Sequence, residues 1–98
     1  MAVIAVFEGP GVSAAQYDGI IQALDAQGLT HPDGRLFHCA YAVPDGWRVV
    51  DVWDSPEKLM AFGQALMPIM ATVGVNITPQ VYPAHHLIND QATERVGL

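Results

Sequence analysis

Three side chains near the middle of the chain could form a general-base site. His38, Asp51 and Trp53 lie in two apolar segments that flank Pro44-Asp45-Gly46. An Asp-Gly pair between apolar runs predicts a hairpin with a two-residue turn. That turn would place His38 opposite Trp53 and diagonal to Asp51, on one face of the sheet. A carboxylate beside an imidazole orients the ring and raises its basicity, as proton abstraction requires.

Two alternatives to this interpretation stay open. A three-residue turn would bring Phe37, Cys39 and Tyr41 to the face of Asp51, because a one-residue slip moves every side chain to the other face. Even in the two-residue register, His38 and Asp51 could form a purely structural hydrogen bond that closes a half-buried sheet face. We adopt the two-residue register and treat His38, Asp51 and Trp53 as the candidate catalytic residues.

Hydrophobic patterning predicts six elements in the order β-α-β-β-α-β. The expected strands cover residues 2–7, 36–43, 47–53 and 80–88, and the expected helices begin near residues 13 and 54. Ser13 with Gln16, and Asp54 with Glu57, predict capping boxes. Pro68 predicts a kink in the second helix or a separate turn after it.

That order is the split βαβ, or ferredoxin-like, plait, an α+β fold with both helices on one face of the sheet. Residues 1–90 are expected to form this single domain, and residues 91–98 a C-terminal tail. The first three strands are apolar on both faces, so the face without helices needs a cover. A second copy of the sheet would provide it, and we therefore predict a homodimer.

Composition excludes several classes of protein. The 98 residues include 4 Lys and Arg against 10 Asp and Glu, for a net charge of −6. Four scattered cations cannot form the basic patch that binds nucleic acid or an anionic membrane surface. The single cysteine, Cys39, fits a reducing compartment. No segment has the features of a signal peptide or the length of a membrane-spanning helix, so we expect a cytoplasmic protein.

Residues 44–57 resemble the antibiotic-biosynthesis-monooxygenase-like group of the dimeric α/β-barrel superfamily. The segment is a hairpin that ends in Trp-Asp-Ser, followed by a helix with Phe62 and Leu66-Met67-Pro68. The resemblance implies that two plaits pair their sheets into a barrel, with a ligand cleft in each subunit between the sheet and the helices. It also implies that Trp53 lies in that cleft.

The superfamily includes cofactor-free quinone-forming monooxygenases, haem-degrading enzymes and polyketide cyclases. The resemblance implies a small-molecule-binding protein, and a cofactor-free monooxygenase for an aromatic or polyketide-like substrate. The alternatives are a polyketide-cyclase-like enzyme and a non-catalytic ligand-binding or stress-associated dimer. The chain departs from each of these groups. It has Val49 where the quinone-forming enzymes carry Asn. It lacks the strand-1 His that the cyclases have and the helix-2 His that the haem-degrading members have. We expect no haem, metal or other cofactor.

Four further side chains are candidates for contact with a hydrophobic or aromatic small molecule. They are Tyr17, Met60, Phe62 and His86. Tyr17 could place a phenol in the cleft, and Met60 could form an adaptable apolar wall. Polyketide-cyclase relatives use a His on the fourth strand, where His85 and His86 would point to opposite faces. Core packing is the alternative for Tyr17 and Met60, and solvent exposure for one of the histidines.

Overall fold

The computed structural model describes residues 1–88 and contains six elements. They are β1 (Val3–Pro10), α1 (Ala14–Ala26), β2 (Arg35–Val43), β3 (Gly46–Trp53), α2 (Pro56–Thr72) and β4 (Gln80–Pro83). The strands form one antiparallel sheet in the order β2-β3-β1-β4. This confirms the predicted α+β ferredoxin-like arrangement. The last two residues of the predicted domain and the predicted tail, 91–98, lie outside the described residues.

The first helix begins where the sequence predicts. Ser13 Oγ accepts a hydrogen bond from the Gln16 backbone N–H at 3.1 Å, and Gln16 Oε1 accepts one from the Ser13 backbone N–H at 2.9 Å. This capping box satisfies two donors that the helix itself leaves open. It sets the start of α1 and thereby the position of Tyr17 in its first turn.

The second helix begins one residue later than predicted. The Asp54 backbone N–H donates to the carbonyl of Gly34, the residue before β2, at 2.8 Å. Asp54 therefore still pairs with the neighbouring segment and does not cap the helix. Ser55 is therefore the N-cap, and its hydroxyl accepts from the Lys58 backbone N–H at 3.3 Å. The Asp54 carboxylate instead lies 3.3 Å from Lys58 Nζ.

Pro68 lies inside α2. Of the two predicted alternatives, a kink or a separate turn, the separate turn is therefore wrong. The helix runs as one element to Thr72, although an interior proline costs about 3 kcal/mol or more. Buried Leu66, Ile69 and Met70 surround Pro68 in sequence and hold this part of the helix against the core. No helix within residues 1–88 is long and apolar enough to cross a membrane.

The β2–β3 hairpin has a two-residue turn, but Pro44 and Asp45 form it. Gly46 is already paired in β3, and His38 lies directly opposite Asp51. The observed register thus differs by two residues from the predicted one. Because side chains alternate with a period of two, the predicted faces are retained. His38 is closer to Asp51 than the predicted diagonal would allow.

Close packing against β1 explains why Gly46 is not a turn residue. Gly46 pairs with Pro10, and a Cβ atom on Gly46 would lie 2.1 Å from the carbonyl oxygen of Gly9. No side chain fits at that distance. The backbone of β3 can approach β1 here only because residue 46 is a glycine.

The substitution Gly46→Ala should therefore destabilise the protein by about 1–3 kcal/mol, since the added methyl group overpacks this contact. The midpoint of urea unfolding measures the change. Gly63→Ala is the matched control, because a Cβ there meets nothing within 4 Å. That change in the α2 interior should stabilise the helix by up to about 1 kcal/mol. An unchanged midpoint for Gly46→Ala would contradict the close approach of the two strands.

The helices cover one face of the sheet and leave the other uncovered in a single chain. The buried apolar side chains on the covered side are Val3, Ala5, Phe7, Ile20, Leu24, Trp53, Leu59, Phe62, Leu66, Ile69, Met70 and Val75. By strand alternation, the other face carries Ile4, Val6, Phe37, Tyr41, Val50, Val52 and Tyr82. We call this second surface the open face. It is mostly apolar, as the sequence predicts.

The fourth strand is shorter than predicted. β4 ends at Pro83 rather than at residue 88. Proline is tolerated here because β4 is an edge strand, and the Ala84 backbone N–H still donates to the Ala2 carbonyl at 2.9 Å. His85 and His86 lie beyond the strand and are exposed. The prediction that they occupy opposite faces of a strand is therefore wrong.

Candidate functional site

A chain of hydrogen bonds follows the helix-facing side of β2 and β3. Asp51 is buried, with 2% of its surface exposed, and its Oδ1 lies 2.6 Å from His38 Nδ1. On the other side of the ring, His38 Nε2 lies 2.6 Å from the hydroxyl oxygen of Tyr17. Trp53 Nε1 donates to Asp51 Oδ2 at 3.4 Å. The imidazole is thus held at both ring nitrogens.

Asp51 determines which ring nitrogen is the base. A carboxylate only accepts hydrogen bonds, so Nδ1 of the neutral ring donates to Asp51 and Nε2 is left as an acceptor. The Tyr17 hydroxyl then donates to Nε2. The result is a phenol–imidazole–carboxylate arrangement in which Nε2 of His38 can take up a proton.

The fold brings Tyr17 to His38 from a distant part of the sequence. The Tyr17 and His38 rings are nearly parallel, with centroids 6.1 Å apart and planes 13° apart, and they meet end to end through the hydroxyl and Nε2. The Tyr17 ring also packs against Trp47 of β3, with centroids 5.4 Å apart. Ala40 and Ala42 follow His38 on the same face of β2, so the strand carries little bulk beside the imidazole.

An apolar cavity of about 70 Å³ lies between the sheet and the helices, and the hydrogen-bonded chain forms part of its wall. Its polar and aromatic lining consists of Tyr17, Arg35, His38, Trp47 and Asp51, together with Phe7 and Phe62. One water needs about 10–15 Å³, and an apolar cavity of about 150 Å³ holds benzene. A single aromatic ring therefore enters this cavity only when lining side chains move.

A second, open groove of about 390 Å³ adjoins the cavity between α2 and the segment that leads into β4. The residues that line the groove alone are Leu59, Met60, Gly63, Gln64, Met67, Thr78, Pro79 and Val81. Five side chains line both spaces: Phe7, Phe62, Leu66, Met70 and Ile77. We call these five the partition. The groove has the volume of an ordinary small-molecule site.

The structure brings five of the predicted site residues to these two spaces. His38, Asp51 and Tyr17 meet at the cavity, and Phe62 belongs to the partition. Met60 lines only the groove, where 71% of its surface is exposed. The alternative of core packing therefore does not hold for Met60.

Trp53 and His86 lie elsewhere. Trp53 is completely buried, packs against Phe62 with ring centroids 5.2 Å apart, and lines neither the cavity nor the groove. Its expected place in the cleft is therefore wrong. Its contact with the site is the hydrogen bond that its indole N–H donates to Asp51. His86 is exposed and also lines neither space.

The sequence interpretation missed Arg35. This residue lies opposite Trp53, beside a bulge between residues 35 and 37, and its side chain lines the cavity. Its Nη2 donates to the Thr30 carbonyl at 2.8 Å. Burial lowers the pKa of Arg35, while the nearby charge of Asp51 acts in the opposite direction. The available signal was a rare cation immediately before an apolar strand.

The sequence interpretation also missed Trp47. It lies on the same face of β3 as Asp51, as alternation from 47 to 51 would have shown. Trp47 also lines the cavity. Elsewhere, Cys39 is exposed on the opposite face of β2. Among residues 1–88, no three His, Cys, Asp or Glu side chains come together as metal ligands.

Solved structures share this fold at low sequence identity. A variant of SnoaB, a cofactor-independent oxygenase from Streptomyces nogalater, is 9% identical, with a TM-score of 0.61 over 91% of this chain and 97% of that one. A proposed antibiotic biosynthesis monooxygenase from Deinococcus radiodurans is 17% identical, with a TM-score of 0.57 over 94% of this chain and 100% of that one. Another proposed antibiotic biosynthesis monooxygenase, from Chloroflexus aurantiacus, is 21% identical, with a TM-score of 0.53 over 88% of this chain and 98% of that one.

These likenesses confirm the ferredoxin-like plait that the resemblance of residues 44–57 implies for a single chain. The chain has the ferredoxin-like fold of antibiotic-biosynthesis-monooxygenase-like proteins. No family model matches the chain, and no curated protein matches its sequence. What the site can do therefore follows from the geometry of this chain.

Proposed function

We propose that the protein is a cofactor-independent monooxygenase for a hydroxylated aromatic or polyketide-like compound. The observation that carries this proposal is the Tyr17–His38–Asp51 chain in the wall of an apolar cavity. A base at the boundary of an apolar space is what deprotonation of an aromatic substrate requires. The single cysteine supports a cytoplasmic location.

Proton abstraction would pass through Tyr17. As the substrate gives a proton to the Tyr17 oxygen, Tyr17 passes its own proton to Nε2 of His38. Asp51 stabilises the imidazolium that forms, because its carboxylate already accepts from Nδ1. The guanidinium of Arg35, in the same cavity wall, stabilises the substrate anion.

Oxygen insertion then uses electrons from the substrate itself. The carbanion adds to dioxygen and forms a peroxide anion, which takes a proton from the imidazolium. Loss of water from the resulting hydroperoxide converts the carbon, originally a CH₂ group, into a carbonyl. One oxygen atom of O₂ stays in the product and the other leaves as water, so the four electrons removed from the carbon balance the four-electron reduction of O₂.

Oxygen consumption tests this function. With hydroxyquinol or an anthrone as substrate and a metal chelator present, the purified protein should consume one O₂ per product and incorporate one atom of ¹⁸O₂. Without oxygen it should form no product. Consumption no faster than in buffer alone, for both compounds, would contradict the proposal.

A non-catalytic ligand-binding dimer is the second candidate. It is favoured by the fact that both ring nitrogens of His38 already have partners within the protein, as in a structural hydrogen-bond network. Binding of the same aromatic compounds without oxygen consumption would support it. A cyclase-like enzyme would instead convert a polyketide-like compound without oxygen.

We also propose that the protein is a homodimer joined through the open face. Support comes from Phe37, Tyr41 and Tyr82, which are 52%, 40% and 51% exposed there. Monomeric proteins seldom expose an apolar surface of this extent.

Sedimentation at micromolar concentration should give a dimer, and Val50→Lys should shift it to a monomer. Val50 lies on the open face in central strand β3, where a charge would be buried by the second sheet. Gln22→Lys, on the exposed side of α1, is the matched control and should leave the dimer intact. A wild-type monomer at this concentration would refute the assignment.

A further inference from the structure

Trp47 carries a buried hydrogen-bond donor that has no acceptor among residues 1–88. Its Nε1 is inaccessible to solvent and unpaired within this part of the chain. A tryptophan N–H usually finds a partner when buried, because an unpaired donor loses its bond to water without replacement. A phenylalanine would pack in the same place without that loss.

The position of Trp47 separates it from the other unpaired groups. Within the described residues, Arg48 Nε and Asp54 Oδ1 are also buried without a partner. Neither Arg48 nor Asp54 lines the cavity, whereas Trp47 does. Nε1 itself exposes no surface, so a molecule in the cavity reaches this atom only after lining side chains move, as the entry of an aromatic ring already requires.

Trp47 also lies beside the proposed proton relay. Its ring packs on Tyr17, whose hydroxyl meets Nε2 of His38. An oxygen atom of a ligand at Tyr17 is thus at the same end of the cavity as the unpaired indole donor. The cavity wall also includes aliphatic side chains such as Val49 and Ile20.

We propose that Trp47 Nε1 donates a hydrogen bond to an oxygen substituent of an aromatic ligand, and that Trp47 thereby selects hydroxyaromatic compounds over hydrocarbons of the same shape. This assignment rests on the proposed ligand class and cavity of the preceding subsection. It concerns binding, so it is tested without turnover.

Binding of phenol and toluene distinguishes the oxygen contact from simple filling of the cavity. In Trp47→Phe, the affinity for phenol should fall about fivefold to tenfold, which corresponds to one neutral hydrogen bond. The affinity for toluene should change less than twofold, since the aromatic wall is kept. Tyr82→Phe removes a hydroxyl from the open face and should leave both affinities unchanged. Equal losses for phenol and toluene would overturn the proposal.

The indole N–H signals provide a test in the unmodified protein. The chain contains two tryptophans, and Trp53 is an internal reference because its N–H already bonds to Asp51. Phenol should move the Trp47 indole proton downfield, whereas toluene should not, and the Trp53 signal should stay in place.

Three results would overturn the assignment: phenol binding without this shift, the same shift with toluene, or no binding of either compound. Failure of the monooxygenase proposal gives a different pattern. In that case phenol binds through Trp47, the shift occurs, and no oxygen is consumed.

Discussion

Replacing His38 with glutamine lowers kcat for a hydroxyaromatic substrate by about 10²–10⁴-fold, the range expected for loss of a general base. Glutamine cannot take up the proton that Tyr17 passes on. Its amide can still donate to Asp51, so the buried carboxylate keeps a partner. Steady-state oxygen consumption measures the rate, and urea unfolding verifies that the fold is retained.

His31→Gln is the control for this experiment. His31 is exposed in the loop before β2 and lines neither the cavity nor the groove. Its replacement should leave kcat unchanged. If His38→Gln keeps full activity, the hydrogen bond to Asp51 is structural and the base lies elsewhere.

Trp53→Ala should lower the free energy of unfolding by about 3–5 kcal/mol. Trp53 is completely buried, packs on Phe62 and donates to Asp51. A domain of this size has about 5–15 kcal/mol in total, so the variant should lie close to the limit of folding. Equilibrium urea unfolding, monitored by circular dichroism, measures the loss.

The exposed Met60 offers a matched control, because Met60→Ala should change stability by about 0.5 kcal/mol or less. Trp53→Phe separates the two contributions of the indole, since it keeps most of the packing and removes the donor to Asp51. A Trp53→Ala variant that unfolds like the wild type but binds ligand poorly would instead place Trp53 in the cleft, as the resemblance implies.

Sequence periodicity was sufficient for the faces of the hairpin but not for its register. His38 and Asp51 share a face both in the predicted register and in the observed one, because the two registers differ by two residues. The turn itself is selected by a contact outside the hairpin, namely the approach of the Gly9 carbonyl to Gly46. A local Asp-Gly signal carries no information about that third strand.

The same limit explains the other differences at the site. Tyr17 reaches His38 only because α1 packs across the sheet, and no pattern within β2 or β3 indicates that contact. Trp53 was expected in the cleft, but α2 places Phe62 against it and excludes it from the cavity. Trp47 and Arg35 were treated only as parts of strands, although alternation places Trp47 on the face of Asp51.

The partition between cavity and groove has a kinetic consequence. A ring that enters from the groove must wait for partition side chains to move, because the cavity is smaller than the space benzene occupies. Association then has two steps, and the observed rate levels off at high ligand concentration at the opening rate of the side chains. Dioxygen, with only two atoms, needs far less opening, so the oxidant can reach a substrate that is already enclosed.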